Sequence, residues 1–219
     1  MGNTGKRLVI FDLDGTLVDT IDDLACSANH ALAQMDYPAH EPARYRTFVG
    51  NGMLKLIERA LPEDARSEAN ILRMREAMVA HYDRHNTDRS KPYPGVEELL
   101  GELARRGTML AVASNKYNRA ARKIVAHYFP GIPFVAVFGQ RKNVRIKPDP
   151  MVVRHVLKAA KATPAETLYV GDSGVDIQTA RAAGVESVAV TWGFCPREEL
   201  EAHAPDHMVG KADEILKYI

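Results

Sequence analysis

The chain has 219 residues, 46% hydrophobic and 26% charged, the balance of a soluble globular protein built as one large domain or as a core with a smaller insert. Its 29 Lys+Arg against 28 Asp+Glu leave a net charge of +1, which argues against a nucleic-acid footprint, and no apolar run approaches the roughly 20 residues of a membrane span. The N-terminus carries neither a secretory signal nor a myristoylation pattern, and Cys26 and Cys195 form no C-x-x-C pair, so a cytoplasmic protein with two reduced thiols is expected.

In chain order, Arg7–Phe11 reads as a strand buried on both faces, because its apolar run is continuous. From Ile21 the period changes: Ile21, Leu24, Ala28, Leu32 and Met35 fall at helical spacing, until Asp36–Pro38 breaks the pattern. Met53–Leu61 and Ile71–Tyr82 carry two more helical patterns. Nothing between residues 20 and 90 alternates like a strand, so residues 19–92 are expected to form a helical insert between two parts of a core, 1–18 and 93–219. After Ser90–Gly95 the chain alternates. Helical patterns at Val96–Arg105, Ala120–Tyr128, Val152–Ala160 and Ile177–Ala183 separate strand-like runs at Met109–Ala113, Phe134–Phe138, Leu168–Val170 and Ser187–Val190. Pro196–Ile219 reads as helical pieces. Such alternation predicts an α/β fold, a doubly wound, mainly parallel sheet with ligands at the carboxyl ends of its strands.

Chemistry-bearing residues follow these strands. Asp12, Asp14 and Gly15 follow the first run; Ser114, Asn115 and Lys116 follow "MLAVA"; Asp172 and Asp176 follow "LYV"; Lys147 sits in "RIKPDP" before a helix. Four carboxylates on one sheet edge repel each other, by roughly 3 kcal/mol for a pair about 5 Å apart at an effective dielectric near 20. A shared cation relieves this, and an oxygen-only donor set suits a hard ion such as Mg²⁺. Ser114, Asn115, Lys147 and the amides near Gly15 supply donors for an anion. Acids holding a metal beside a ring of donors describe a phosphoryl site. Taken singly, Asp176 could be a helix N-cap and Lys147 a solvated charge; the joint occurrence, in order and after strands, favours the site. P-loop, dinucleotide-loop, nucleophile-elbow and H-E-x-x-H patterns all fail.

"DLDGTLVDT", "SNK", "KPDP" and "GDSGVD" resemble the four motifs of the haloacid dehalogenase superfamily, in order, and the helical insert resembles its C1 cap. "FVGNG" followed by "LIERAL" is similar to the phosphoglycolate phosphatases of that superfamily. The resemblance implies a phosphatase in which Asp12 is the nucleophile and Asp14 the general acid and base. It implies Mg²⁺ held by Asp12, the Asp14 carbonyl and Asp172, with Asp176 further out. Ser114, Asn115 and Lys147 would hold the phosphoryl oxygens, and Gly15 would let the backbone turn closely around them. Asn51 and Gly52, with Arg44 and Lys55, are the candidates for substrate contact from the cap. A small phosphorylated metabolite, with 2-phosphoglycolate foremost, is the expected partner of a monomer or homodimer. A pyrophosphatase, a sugar-phosphate phosphatase or a mutase on the same scaffold is the alternative; a phosphonatase using Lys55 ranks low. A phospho-Asp signalling receiver is the alternative of a different class, disfavoured by the insert and by Asp14.

Overall fold

A computed structural model describes residues 5–219; Met1–Thr4, part of the segment read for signal and myristoylation patterns, lie outside the described residues. The first strand, β1 (Leu8–Phe11), sends Val9 and Phe11 into one core layer and Leu8 and Ile10 into the other, as an unbroken apolar run requires.

The chain then leaves the sheet through a two-residue strand, β2 (Val18–Asp19). Helices α1 (Ile21–Ala33), α2 (Met53–Ala60) and α3 (Glu68–His85) follow, with a 3₁₀ turn at Pro42–Thr47 before α2. Leu24, Ala28 and Leu32 of α1 and Met74, Met78 and Tyr82 of α3 are buried in a shared apolar cluster with Tyr45, Phe48 and Ile57. The chain returns at β3 (Lys91–Pro92), which pairs antiparallel with β2. This ribbon has no sequence signature, since two residues are too short for a period. The Asp23 carboxylate braces the return. It accepts from the amides of Arg89 and Ser90 and from the Ser90 hydroxyl, the last two at 2.8 and 2.6 Å.

The remaining elements are α4 (Val96–Arg105), β4 (Met109–Tyr117), α5 (Asn118–Tyr128), β5 (Phe134–Gln140), α6 (Met151–Ala160), β6 (Thr167–Gly171), α7 (Gly174–Ala183), β7 (Glu186–Val190), α8 (Arg197–Ala202) and β8 (His207–Val209). They build one sheet in the order β5-β4-β1-β6-β7-β8, every pairing parallel. Helices α4 and α5 cover the Val9/Phe11 face; α6 and α7 cover the Leu8/Ile10 face. Two differences from the sequence reading stand out. The tail holds a strand, β8, among its helical pieces. And β4 runs on past Ala113 to Tyr117, with a register shift against β5. Ser114, Asn115 and Lys116 therefore sit in an irregular strand end, where a bulge re-aims side chains. Among the described residues, no helix is long and apolar enough to cross a membrane.

Candidate active site

The sheet order places β1 between β4 and β6, so the three segments that carry chemistry end side by side. Phe11 pairs with Val112 on one side and Val170 on the other. Asp12 is thus level with Ala113 and Gly171, and Ser114 and Asp172 lie one residue further out. Adjacent strands are about 4.8 Å apart, so these side chains meet.

Asp12, Asp172 and Asp176 are all buried, and each offers an oxygen within 4.8 Å of the others'. The three do not have equal freedom. Asp176 accepts from Lys147 Nζ at 2.7 Å and Tyr169 Oη at 3.3 Å on one oxygen, and from the Ser173 amide and hydroxyl on the other. Its lone pairs are engaged by four donors. Asp172 accepts a single bond on each oxygen, from Thr16 Oγ1 at 2.9 Å and the Phe194 amide at 2.8 Å. Asp12 Oδ1 lies 2.9 Å from Lys147 Nζ but is not aligned for a hydrogen bond. A cation would therefore find open lone pairs on Asp12 and Asp172, while Asp176 orients Lys147.

Burial dominates the electrostatics. It pushes the Asp12 carboxyl from its ordinary 3.8 up to about 6, against the pull of Lys147 and with the repulsion of Asp176 and Asp14 adding to it. Asp172 is raised well above its ordinary value, first by burial and then by Asp176 and Asp12. Lys147 is raised well above its ordinary value too: burial opposes this, but Asp12 and Asp176 outweigh it. Its ammonium also touches Tyr169 Oη and the Ala113 carbonyl, and it stays charged. Three acids around one buried ammonium leave the cluster short of positive charge, which is the donor chemistry of a hard divalent ion.

Gly15 makes the close packing possible. Its φ is +84°, and a Cβ there would run into the Asp172 carboxylate.

Asp14 stands apart from the three-acid cluster. Thr20 Oγ1 donates to it at 2.7 Å, and Lys116 Nζ closes on both its oxygens at 2.8 and 3.0 Å. Lys116 lies in the "SNK" string, but no sequence signal gives it a partner; only the fold brings it to Asp14. Ser114 lines the same cavity, its hydroxyl accepting from the Lys116 amide. The Asn115 side chain works as a tie. Nδ2 donates to the carbonyls of Gly50 and Lys147 at 2.9 and 3.1 Å, and Oδ1 accepts from the Lys147 amide at 2.8 Å.

The helical excursion forms the facing wall. Arg46, Val49, Gly50, Gly52, Met53 and Leu56 line the cavity opposite Asp12, Asp14, Ser114 and Asp172; its empty space is about 670 Å³ including the mouth. Of the excursion's sequence candidates, Gly52 is in this wall. Asn51 accepts from Arg59 and is not in the lining. Lys55 is exposed and paired with Glu58 at 2.8 Å, and Arg44 lies over the Phe48 ring; neither reaches the cavity. Cys195 reaches it as an inert thiol, pushed up to about 12 chiefly by burial.

Residues 9–190 match the family model described as haloacid dehalogenase-like hydrolase. The phosphoglycolate phosphatase of Mesorhizobium japonicum is 37% identical over 198 residues, covering 90% of this chain and 87% of that protein. That of Haemophilus influenzae strain 86-028NP is 34% identical over 220 residues, covering 98% of each. A crystal structure described as a predicted phosphoglycolate phosphatase from Haemophilus somnus superposes with a TM-score of 0.90 at 29% identity, covering 99% of both chains. At 20% identity, a structure of CbbY from Rhodobacter sphaeroides shares the fold, with a TM-score of 0.80.

Proposed function

The chain belongs to the haloacid dehalogenase-like hydrolases, and from that premise we propose that it is a Mg²⁺-dependent phosphatase acting on a small phosphomonoester, 2-phosphoglycolate, through an aspartyl-phosphate on Asp12. The observation that carries this reading is the pairing of a buried carboxylate, Asp12, with an oxygen not aligned to any donor, and a second acid, Asp14, on the same cavity wall.

Asp12 and Asp172 would hold the ion, with the Asp14 carbonyl, while Asp176 keeps Lys147 in place. Bound there, the ion neutralises the acids and the phosphoryl charge. A carboxylate oxygen of Asp12 attacks phosphorus, and the bond from phosphorus to the ester oxygen breaks. Asp14 gives its proton to that departing alkoxide, then takes one from the water that attacks the aspartyl-phosphate. The bond from phosphorus to the Asp12 oxygen breaks, inorganic phosphate leaves, and both acids return to their starting states. Ser114 donates to the non-bridging oxygens, while Lys147, its donors engaged by Ala113, Tyr169 and Asp176, contributes its positive charge from beneath Asp12. The helical excursion acts as the lid, and the β2–β3 ribbon as its hinge.

Turnover of 2-phosphoglycolate, pyrophosphate, hexose phosphates and p-nitrophenyl phosphate, each with Mg²⁺ and with EDTA, tests this. Phosphoglycolate is expected to show the highest kcat/KM, with activity lost in EDTA. Asp12→Asn is expected to lose at least 10⁴-fold with its fold intact. Near-normal rates in that variant would remove Asp12 as nucleophile, and a single modification per chain without turnover would make the protein a receiver.

A further inference from the structure

Two cations line the cavity among the described residues, Lys116 and Arg46, and they differ in what they have left to offer. Lys116 is buried and engages both oxygens of Asp14. Lys147, the third cation of the site, lies beneath Asp12 and is held by Asp12 and Asp176. Arg46 is the one that remains. Its guanidinium makes no hydrogen bond to a described residue. Its nearest acid, Asp19, is 3.9 Å away, at the limit of an ion pair. Its side chain is 43% exposed, so a ligand in the cavity can reach it.

Its position is also specific. Arg46 belongs to the 3₁₀ turn Pro42–Thr47 on the lid side, and its guanidinium lies 5.6 Å from the ring centroid of Phe194 on the core side. The Phe194 amide donates to Asp172, so the backbone that carries this ring is tied to one of the acids. The rest of the lid wall, Val49, Met53 and Leu56, is apolar. An anion entering here meets acids on the core side and one unsatisfied planar fork on the other, which is the geometry for a bidentate carboxylate contact.

We propose that Arg46 is the specificity-determining residue: its guanidinium binds the anionic end of the substrate remote from the phosphate, and so selects short phosphorylated carboxylic acids over neutral phosphomonoesters. This rests on the phosphoglycolate reading above. The site is a distal-carboxylate subsite spanning lid and core.

The test compares kcat/KM for 2-phosphoglycolate and for 2-hydroxyethyl phosphate, which has the same length with a neutral end. In the wild type the ratio is expected to favour the acid. In Arg46→Met it should fall about 10- to 100-fold, the scale of a charged hydrogen-bonded contact, and Arg46→Lys should fall between. Arg44→Met, which removes the same charge from the same turn outside the cavity, should keep the wild-type ratio. An unchanged ratio in Arg46→Met, or an equal fall in Arg44→Met, overturns Arg46 as the reader while phosphoglycolate stands as substrate. A wild type that does not favour the acid overturns the substrate reading and this inference with it, before any variant is made.

Discussion

Lys116 closes its ammonium on both carboxylate oxygens of Asp14, at 2.8 and 3.0 Å, across 102 positions of sequence. Lys116 is buried and Asp14 half-buried at the cavity wall, beside the Tyr82 ring, 4.8 Å from the ammonium. Without Lys116, Asp14 would keep one donor, Thr20, and lose its cation. Lys116→Met is therefore expected to lower kcat about 10- to 100-fold with a smaller change in KM, because it disorients a group acting on protons and not on substrate affinity. Lys116→Arg should recover part of kcat. Steady-state kinetics on p-nitrophenyl phosphate separates the two parameters; a rise in KM alone would make Lys116 a substrate contact.

The burial of Asp12 predicts a pH dependence of stability in EDTA. Its carboxyl is raised from 3.8 to about 6, so between those values the folded protein holds a proton that the unfolded chain releases. Stability from this group is full below pH 4 and falls as pH rises to 6, by up to about 3 kcal/mol. Above pH 6 the loss is complete, unless a cation takes the proton's place. Chemical unfolding of wild type and Asp12→Asn across pH 4–8 should show a falling difference confined to that window. Mg²⁺ should raise Tm strongly at pH 7.5 and weakly at pH 5.

Asp172→Asn separates metal binding from stability. The Asn carbonyl oxygen can still accept from the Phe194 amide, and its amide can donate to Thr16 Oγ1, so both bonds of Asp172 have replacements. What disappears is a buried charge that its neighbours Asp176 and Asp12 repel. In EDTA the variant is expected to melt a few degrees above wild type, yet to gain no stability from Mg²⁺ and to lose turnover. A variant still stabilised by Mg²⁺ would remove Asp172 from the ligand set.

Asp23 predicts a loss of stability where the chain returns to the sheet. Its buried carboxylate satisfies the amides of Arg89 and Ser90 and the Ser90 hydroxyl. Asp23→Ala leaves these donors without a partner, at about 1–3 kcal/mol for each buried group. At 2–4 °C per kcal/mol for a chain of this size, a fall in Tm of about 5–10 °C is expected by calorimetry. Asp23→Asn, which keeps an acceptor, should fall less.

The sheet was legible because each strand is a run of apolar residues whose ends carry the chemistry, and adjacency of strand ends follows from the parallel alternation. Asp12, Ser114 and Asp172 converge for that reason, and Lys147 joins them from the loop before α6. What escaped were features set by partners distant in sequence or by very short elements. Lys116 is visible in its string, but Asp14 as its partner is not. In the Pro42–Thr47 turn the sequence favours Arg44, because no apolar stripe tells which side of six residues faces inward; the fold turns Arg46 to the cavity. Asn51 looks like a polar loop residue open to ligand, and Arg59, eight positions on, claims it. Strands β2, β3 and β8, of two or three residues each, are too short for periodicity to register.

Asn115 ties the helical excursion to the site directly. One Nδ2 bridges the carbonyl of Gly50, in the lid wall, and that of Lys147, beneath Asp12, while Oδ1 fixes the Lys147 amide. Asn115→Ala removes all three bonds, loosening the Gly50–Gly52 wall and the Lys147 loop together. KM is expected to rise and kcat to fall, for a combined loss in kcat/KM of about 10- to 100-fold, and amide exchange should accelerate at residues 48–52. Asn115→Asp discriminates a tie from mere bulk. It keeps the acceptor for the Lys147 amide, but it sets a carboxylate oxygen against the two carbonyls and adds a carboxylate to the three buried at Asp12, Asp172 and Asp176. If the bonds matter, Asn115→Asp should be worse than Asn115→Ala despite its nearly native shape; equal activity in the two would leave Asn115 as packing.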